Sequence, residues 1–153
     1  MRSAAVLCAL LALAVASVAA AVVVPQRSIA GVRLGMTKAQ VRSTLGRPAR
    51  TTRGTNEFGA FVVFRYPGLR VTFQGQRTVT DVFTTRRSER TARGIGVGST
   101  VAQVRARVAN VRCRTESGFR HCFVGRFLPG RRVTDFRIKA GRVTSVDVGF
   151  VID

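Results

Sequence analysis

Seven carboxylates and one histidine are this chain's first candidates for acid–base chemistry: Glu57, Asp81, Glu89, Glu116, Asp135, Asp147, Asp153 and His121. A nucleophile needs an oriented base, and a metal centre needs three or four convergent ligands. Asp135 and Asp147 fall on neighbouring predicted strands and can meet. In so basic a chain the commoner fate is cross-strand pairing with arginines such as Arg137 or Arg142. His121 stands beside Cys122, which places it on the surface of a disulfide loop. The expectation is therefore no enzyme, no metal and no cofactor. A small hydrolase would need Asp135, Asp147 or His121 in a pocket.

The cysteines point to structure. Cys8 lies inside an apolar leader, away from any lipid-attachment context, which leaves Cys113 and Cys122. Two cysteines in an exported domain should pair, and the eight residues between them, including Gly118, suit a short hairpin or loop tie. Such a small ring contributes about 2–3 kcal/mol by loop entropy. No CxxC spacing suggests a redox role.

The leader is Met1–Ala21: Arg2, an apolar run over Val6–Val18, and small residues at Ser17–Ala21 that suit cleavage after Ala19 or Ala21. A membrane-spanning anchor over Ala4–Val24 is the alternative, and cleavage fits the pattern better. Residues 22–153 then form one exported domain. The chain has 26 Lys and Arg against 7 acidic residues, a formal charge of +19; only Lys38 and Lys139 are lysines. Such charge attracts anionic surfaces or polymers. Nucleic acid is the usual partner of so basic a chain, but an exported protein rarely meets it as a target.

The elements that must position these residues are announced by a stretch stated twice. Shifted by 63 residues, GVRLGMTKAQVR (Gly31–Arg42) reads GIGVGSTVAQVR (Gly94–Arg105), with seven of twelve positions identical. An internal match this dense indicates two repeats, about 29–85 and 92–151. Thr37 with Gln40, and Thr100 with Gln103, are capping boxes. Each opens a short helix whose apolar stripe is Val41 and Leu45, or Val104 and Val108. Gly46 and Pro48 end the first. Met36 can staple onto Val41 and Ser99 cannot, so the second entry should be looser. The glycines of GIGVGS lack the Lys and spacing of a phosphate loop and read as a tight entry turn.

After each helix come alternating β-branched and aromatic segments: Ala60–Tyr66, Leu69–Phe73 and Thr78–Thr85, then Phe119–Phe127, Arg132–Ile138 and Arg142–Val151. Ala49–Gly59 reads as a loop, and Arg86–Arg93 as a linker. The predicted fold is α+β. Two helix-strand-strand-strand repeats build one antiparallel sheet of about six strands, with both helices on one face and the other face open.

The Gly31-Val32-x-Leu34-Gly35-Met36-Thr37-x-x-Gln40-Val41 motif and its echo resemble a family of small exported domains. It includes the β-lactamase inhibitory protein and the outer-membrane assembly lipoproteins of the SmpA/OmlA (BamE-like) type. The resemblance implies a scaffold whose sheet surface and loops hold a protein partner. It carries no contact residue over. This chain lacks the lipoprotein's acylated cysteine, has a cysteine pair in one repeat only, has no Trp, and has Tyr66 as its sole Tyr.

Three functions follow in order. The first is a monomeric, non-enzymatic binding module, secreted or held at the cell envelope, with a protein partner on the open face. Phe61, Val63 and Phe83 lie opposite the core and would form its apolar patch. The second is an electrostatic binder of anionic envelope polymer or lipid headgroups, using Arg65, Arg70 and Arg137. Its grip would weaken steeply with salt. The third is the hydrolase.

Overall fold

The computed structural model describes residues 23–152 apart from residue 76; the proposed leader, 1–21, lies outside them. Three two-residue strands come first, β1 (Val23–Val24), β2 (Ser28–Ile29) and β3 (Val32–Arg33), paired into a small antiparallel sheet. Helix α1 (Lys38–Leu45) is followed by β4 (Arg50–Asn56), β5 (Gly59–Tyr66), β6 (Leu69–Gln74) and β7 (Asp81–Thr84). Helix α2 (Val101–Arg107) is followed by β8 (Arg112–Glu116), β9 (Phe119–Gly125), β10 (Arg132–Lys139) and β11 (Arg142–Phe150). The fold is α+β, mostly antiparallel sheet with two short helices.

The last eight strands form a single sheet in the order β4-β5-β6-β7-β11-β10-β9-β8. Each helix thus precedes four strands, not three, and the sheet has eight strands rather than six. The added strands are its two edges. β4 occupies Arg50–Asn56, expected to be loop, and β8 carries Cys113 directly opposite Cys122 on β9. The disulfide Cys113–Cys122 is therefore a rung between paired strands, not the tie of a loop.

Both helices start where the capping boxes place them. Thr37 Oγ1 accepts from the Gln40 N–H at 3.3 Å and Gln40 Oε1 from the Thr37 N–H at 2.8 Å. Thr100 and Gln103 repeat this at 3.2 and 2.9 Å. Gly46 ends α1 with φ 78°, and its N–H still reaches the Arg42 carbonyl. The second entry is not looser than the first. Ser99 is buried and its Oγ accepts from the Gly96 N–H at 3.1 Å, where the first entry packs Met36 on the core. Gly96 itself must lack a side chain, because a Cβ there would collide with the Glu89 carbonyl oxygen.

The expected linker is also fastened. Glu89 is buried and pairs with Arg86 at 3.4 Å, and the Arg90 guanidinium donates to the Gly94 and Val97 carbonyls.

One hydrophobic core joins the helices to the sheet. Val41 and Val104 meet Phe64, Leu69, Val71, Phe73, Val82, Phe136, Val146 and Val148, all buried. Phe64 and Phe73 pack edge to face at 4.9 Å, and Arg42 and Lys38 of α1 lie over these two rings. The helices thus lie on this face, along with Val23, Ile29 and Val32 of the small sheet.

Candidate functional site

Strand alternation leaves every second residue on the opposite face, and the register lines those residues up. Directly opposed residues run Arg50, Arg65, Arg70, Phe83, Asp147, Asp135, Phe123 and Arg112, one from each strand from β4 to β8. A second row beside it holds Ser145, Arg137, His121 and Arg114. A third holds Thr52, Val63, Thr72, Asp81, Gly149 and Val133.

All six residues expected on the open face are on it. Phe83, Arg65, Arg70 and Arg137 stand in the first two rows, Val63 in the third and Phe61 opposite Gln74. Their roles differ from expectation. Val63 is only 7% exposed, and Phe61 and Phe83 are half-buried, so these three do not make an open apolar patch. Exposed rings lie at both ends: Phe58, in the β4–β5 turn, is 40% exposed. Phe119 is 59% and Phe127 39% exposed. Phe119 opens β9 and Phe127 lies beyond its end, so both fall at the margins of the strand, where alternation does not set burial.

Arginines lie over the rings throughout. Arg70 sits 4.4 Å from the Phe83 centroid, Arg112 and Arg114 each 5.0 Å from Phe123, and Arg137 5.2 Å from Phe119. Such stacking holds a guanidinium in place with its donors free at the rim. Arg65 donates to Thr52 Oγ1 at 3.4 Å.

Between the arginines lie carboxylates. Asp135 and Asp147 are directly opposed on β10 and β11, so they do meet, and neither pairs with Arg137 or Arg142. Asp135 is instead bonded to His121, whose Nδ1 lies 3.0 and 3.1 Å from the two carboxylate oxygens. Arg114 Nε approaches His121 Nε2 at 3.4 Å. A neutral imidazole that donates from Nδ1 and accepts at Nε2 satisfies both contacts. His121 is therefore a partly buried strand residue, not part of a surface loop. Burial pushes the Asp135 carboxyl above the ordinary range, against the hydrogen bond and charge of His121 and the charges of Arg137 and Arg114.

A cavity of about 210 Å³ opens here, lined by Arg70, Phe83, Asp135, Arg137, Ser145 and Asp147. A neighbouring hollow of about 260 Å³ is bounded by Glu116, Ser117, Phe119 and His121. A carboxylate-oriented imidazole is part of the apparatus of nucleophilic catalysis. Among the described residues, however, no hydroxyl or thiol is hydrogen-bonded to His121. No group of three or more His, Cys, Asp or Glu side chains there could hold a metal ion. A separate, more apolar hollow of about 370 Å³ lies between β1 and the end of α2, lined by Val23, Pro25, Val108 and Val124.

No family model matches the chain, and no curated protein sequence matches it. Among solved structures, an extracellular protein containing an SCP domain from Bacillus anthracis is similar at TM-score 0.52 and 7% identity, over 76% of this chain and 44% of that one. The present chain spans less than half the length of that protein. A DUF4309 family protein from Bacillus subtilis has TM-score 0.48 and 17% identity, over 74% of this chain and 78% of that one. At such identities the first likeness concerns the fold alone. Neither is described as a β-lactamase inhibitory protein or an SmpA/OmlA lipoprotein.

Proposed function

We propose that this chain is a non-enzymatic exported module that holds a protein partner on its open sheet face. The observation that carries this is the row from Arg50 to Arg112, in which six of the eight strands contribute an arginine or an aromatic ring, on either side of Asp147 and Asp135. Arg and aromatic residues supply most hot spots of protein interfaces. The guanidiniums of Arg70 and Arg112 rest on rings, so little side-chain entropy is lost when they engage a partner. The surplus of positive charge selects an acidic partner surface and speeds encounter with it.

Export is supported by the leader pattern of Met1–Ala21, by the disulfide, and by the description of the Bacillus anthracis structure as extracellular. The duplicated motif and the mirrored strand order favour two repeats that share one scaffold. This is the plan that the inhibitor-like resemblance implies.

A second reading, binding of anionic envelope polymer or lipid headgroups, is favoured by the +19 charge. Affinity capture separates the two. The oxidised protein is immobilised, envelope and secreted fractions are passed over it, and bound material is eluted with rising salt. The expected result is a stoichiometric protein that survives high salt and is lost on the Arg70→Ala/Phe83→Ala surface. Retention of anionic polymer or lipid alone, lost as salt rises, would overturn the protein-partner reading.

A further inference from the structure

We propose that Asp147 holds a proton against the neighbouring Asp81 at the centre of the open face, and that filling this site on acidification tightens docking of an acidic protein partner. The second half rests on the docking function proposed above.

The placement is anomalous for so basic a chain. Seven acidic residues face 26 basic ones, yet three of the seven stand on adjacent strands of one face. Asp81 on β7 opposes Gly149, Asp147 lies two residues from Gly149 on β11, and Asp135 on β10 opposes Asp147. Like charges in such positions destabilise a sheet. Two carboxylates that share a site cannot both ionise freely.

Gly149 is what lets them converge. A Cβ built there would stand 3.1 Å from Asp81 Oδ1 and 3.5 Å from Asp147 Oδ1. The absent side chain leaves both carboxylates room over the same stretch of backbone. Gly149 carries no positive φ, so close approach, not backbone conformation, is its reason.

Cations do not neutralise the pair. Among the described residues no Lys, Arg or His nitrogen comes within 4.0 Å of Asp81 or Asp147. The Thr72 hydroxyl donates to Asp81 Oδ2 at 3.3 Å. Asp135 is already engaged by His121. The charged and titratable groups facing the pair are Arg70 from β6, Asp135 and Arg137 from β10, His121 from β9 and, beyond it, Arg114 and Glu116 from β8. Burial pushes the Asp147 carboxyl well above the ordinary range. The charge of Asp81, a hydrogen bond to Asp81 and the charge of Asp135 push the same way, against Arg70.

The proton sits where the arginine rows converge. When it leaves, one more negative charge faces an incoming acidic surface. When it is present, the arginines act alone. Docking therefore strengthens as pH falls through this titration, which lies above the ordinary carboxylate range.

Two measurements on the intact oxidised protein test this. In a 13C carboxyl titration, Asp147 should titrate above the ordinary range, and Asp81→Asn should bring that event down. Titration of Asp147 in the ordinary range would overturn the held proton. In the second, a peptide of alternating cysteic acid and glycine serves as a probe whose sulfonates stay ionised throughout. Its affinity should rise roughly three- to tenfold from pH 7.5 to 5, the effect of one partly screened charge. Asp147→Asn should bind at neutral pH as tightly as the parent does in acid. Asp81→Asn serves as the second variant, and His121→Gln isolates the histidine's share. A pH slope that both Asn variants retain would overturn the switch alone. Absence of binding by the parent and both Asn variants at every pH would overturn the docking function, and with it the tightening, while the titration still decides the proton.

Discussion

The two ends of the open face make the most informative comparison in the molecule. Both belong to units that begin with the same capping box and bury the same kind of valine and phenylalanine core. On the β4–β6 side Arg50, Arg65 and Arg70 stand among threonines, with the half-buried Phe61 and the buried Val63 and no disulfide. On the β8–β10 side the face is crowded. Arg112 and Arg114 flank Phe123, Arg114 pairs with Glu116 at 2.7 Å, His121 engages Asp135, and a disulfide pins the edge. Because alternate residues of a strand point to opposite faces, the inward set can stay fixed as scaffold while the outward set diverges. One end is thus left as a charged, open surface, and the other is built into a rigid aromatic and polar cluster.

The sharpest way to break this comparison is to ask whether the two halves share one core. Phe73 and Phe136 are both fully buried, one in each half. Phe73→Ala and Phe136→Ala should each cost about 3–5 kcal/mol, and chemical denaturation should show a single transition for both. A variant that unfolds in two steps would mean that the halves are separate folding units.

Removal of the disulfide should act on one end only. Cys113→Ala/Cys122→Ala is expected to cost about 2–3 kcal/mol. Amide hydrogen exchange should quicken in β8 and β9 while the β4–β5 hairpin keeps its protection. Equal loss at both edges would show that the bond stabilises the whole sheet rather than its own end.

The caps test what the two halves have in common. Thr37→Ala and Thr100→Ala should each cost about 1 kcal/mol, read from thermal or denaturant unfolding. The two values should agree within a few tenths, since both boxes are complete.

What the sequence revealed and what it hid divide along the same physical line. The capping boxes, the inner strands and the cysteine pair are legible because they depend on local spacing or on burial. The edge strands are not. Arg50–Asn56 reads RTTRGTN and Arg112–Glu116 reads RCRTE, polar runs without apolar alternation, and both are strands because β5 and β9 offer them hydrogen bonds. The outward placement of Arg65, Arg70, Phe83 and Arg137 follows from period two. The meeting of Asp135 with Asp147 follows from their shared hairpin. The arrival of Asp81 beside them does not, because it depends on β7 pairing with β11, a contact made across most of the second half of the chain. The engagement of His121 with Asp135 is not legible, because it depends on Cys113–Cys122 being a rung between paired strands rather than a loop tie.

The smallest effect distinguishes the two ends most finely. Arg70→Gln and Arg112→Gln each remove a guanidinium from a ring, Phe83 or Phe123, and each stacking contact should be worth about 0.5–1 kcal/mol. Arg112→Gln also forfeits a 2.7 Å hydrogen bond to the Gly125 carbonyl, so it should be the costlier of the two. Their pH behaviour should differ in kind. Arg70 is the cation that holds the Asp147 carboxyl down against burial and its neighbours, so Arg70→Gln lets that titration move further up. A carboxyl whose folded titration lies above its unfolded one carries no penalty below the unfolded value. It loses stability as pH rises through the folded one. Arg70→Gln should therefore lose additional stability on the alkaline side, an effect that Asp147→Asn should abolish. Arg112→Gln should cost the same at every pH. If the two variants show identical pH dependence, Arg70 does not act on the central carboxylates, and the ends of the face are electrostatically independent.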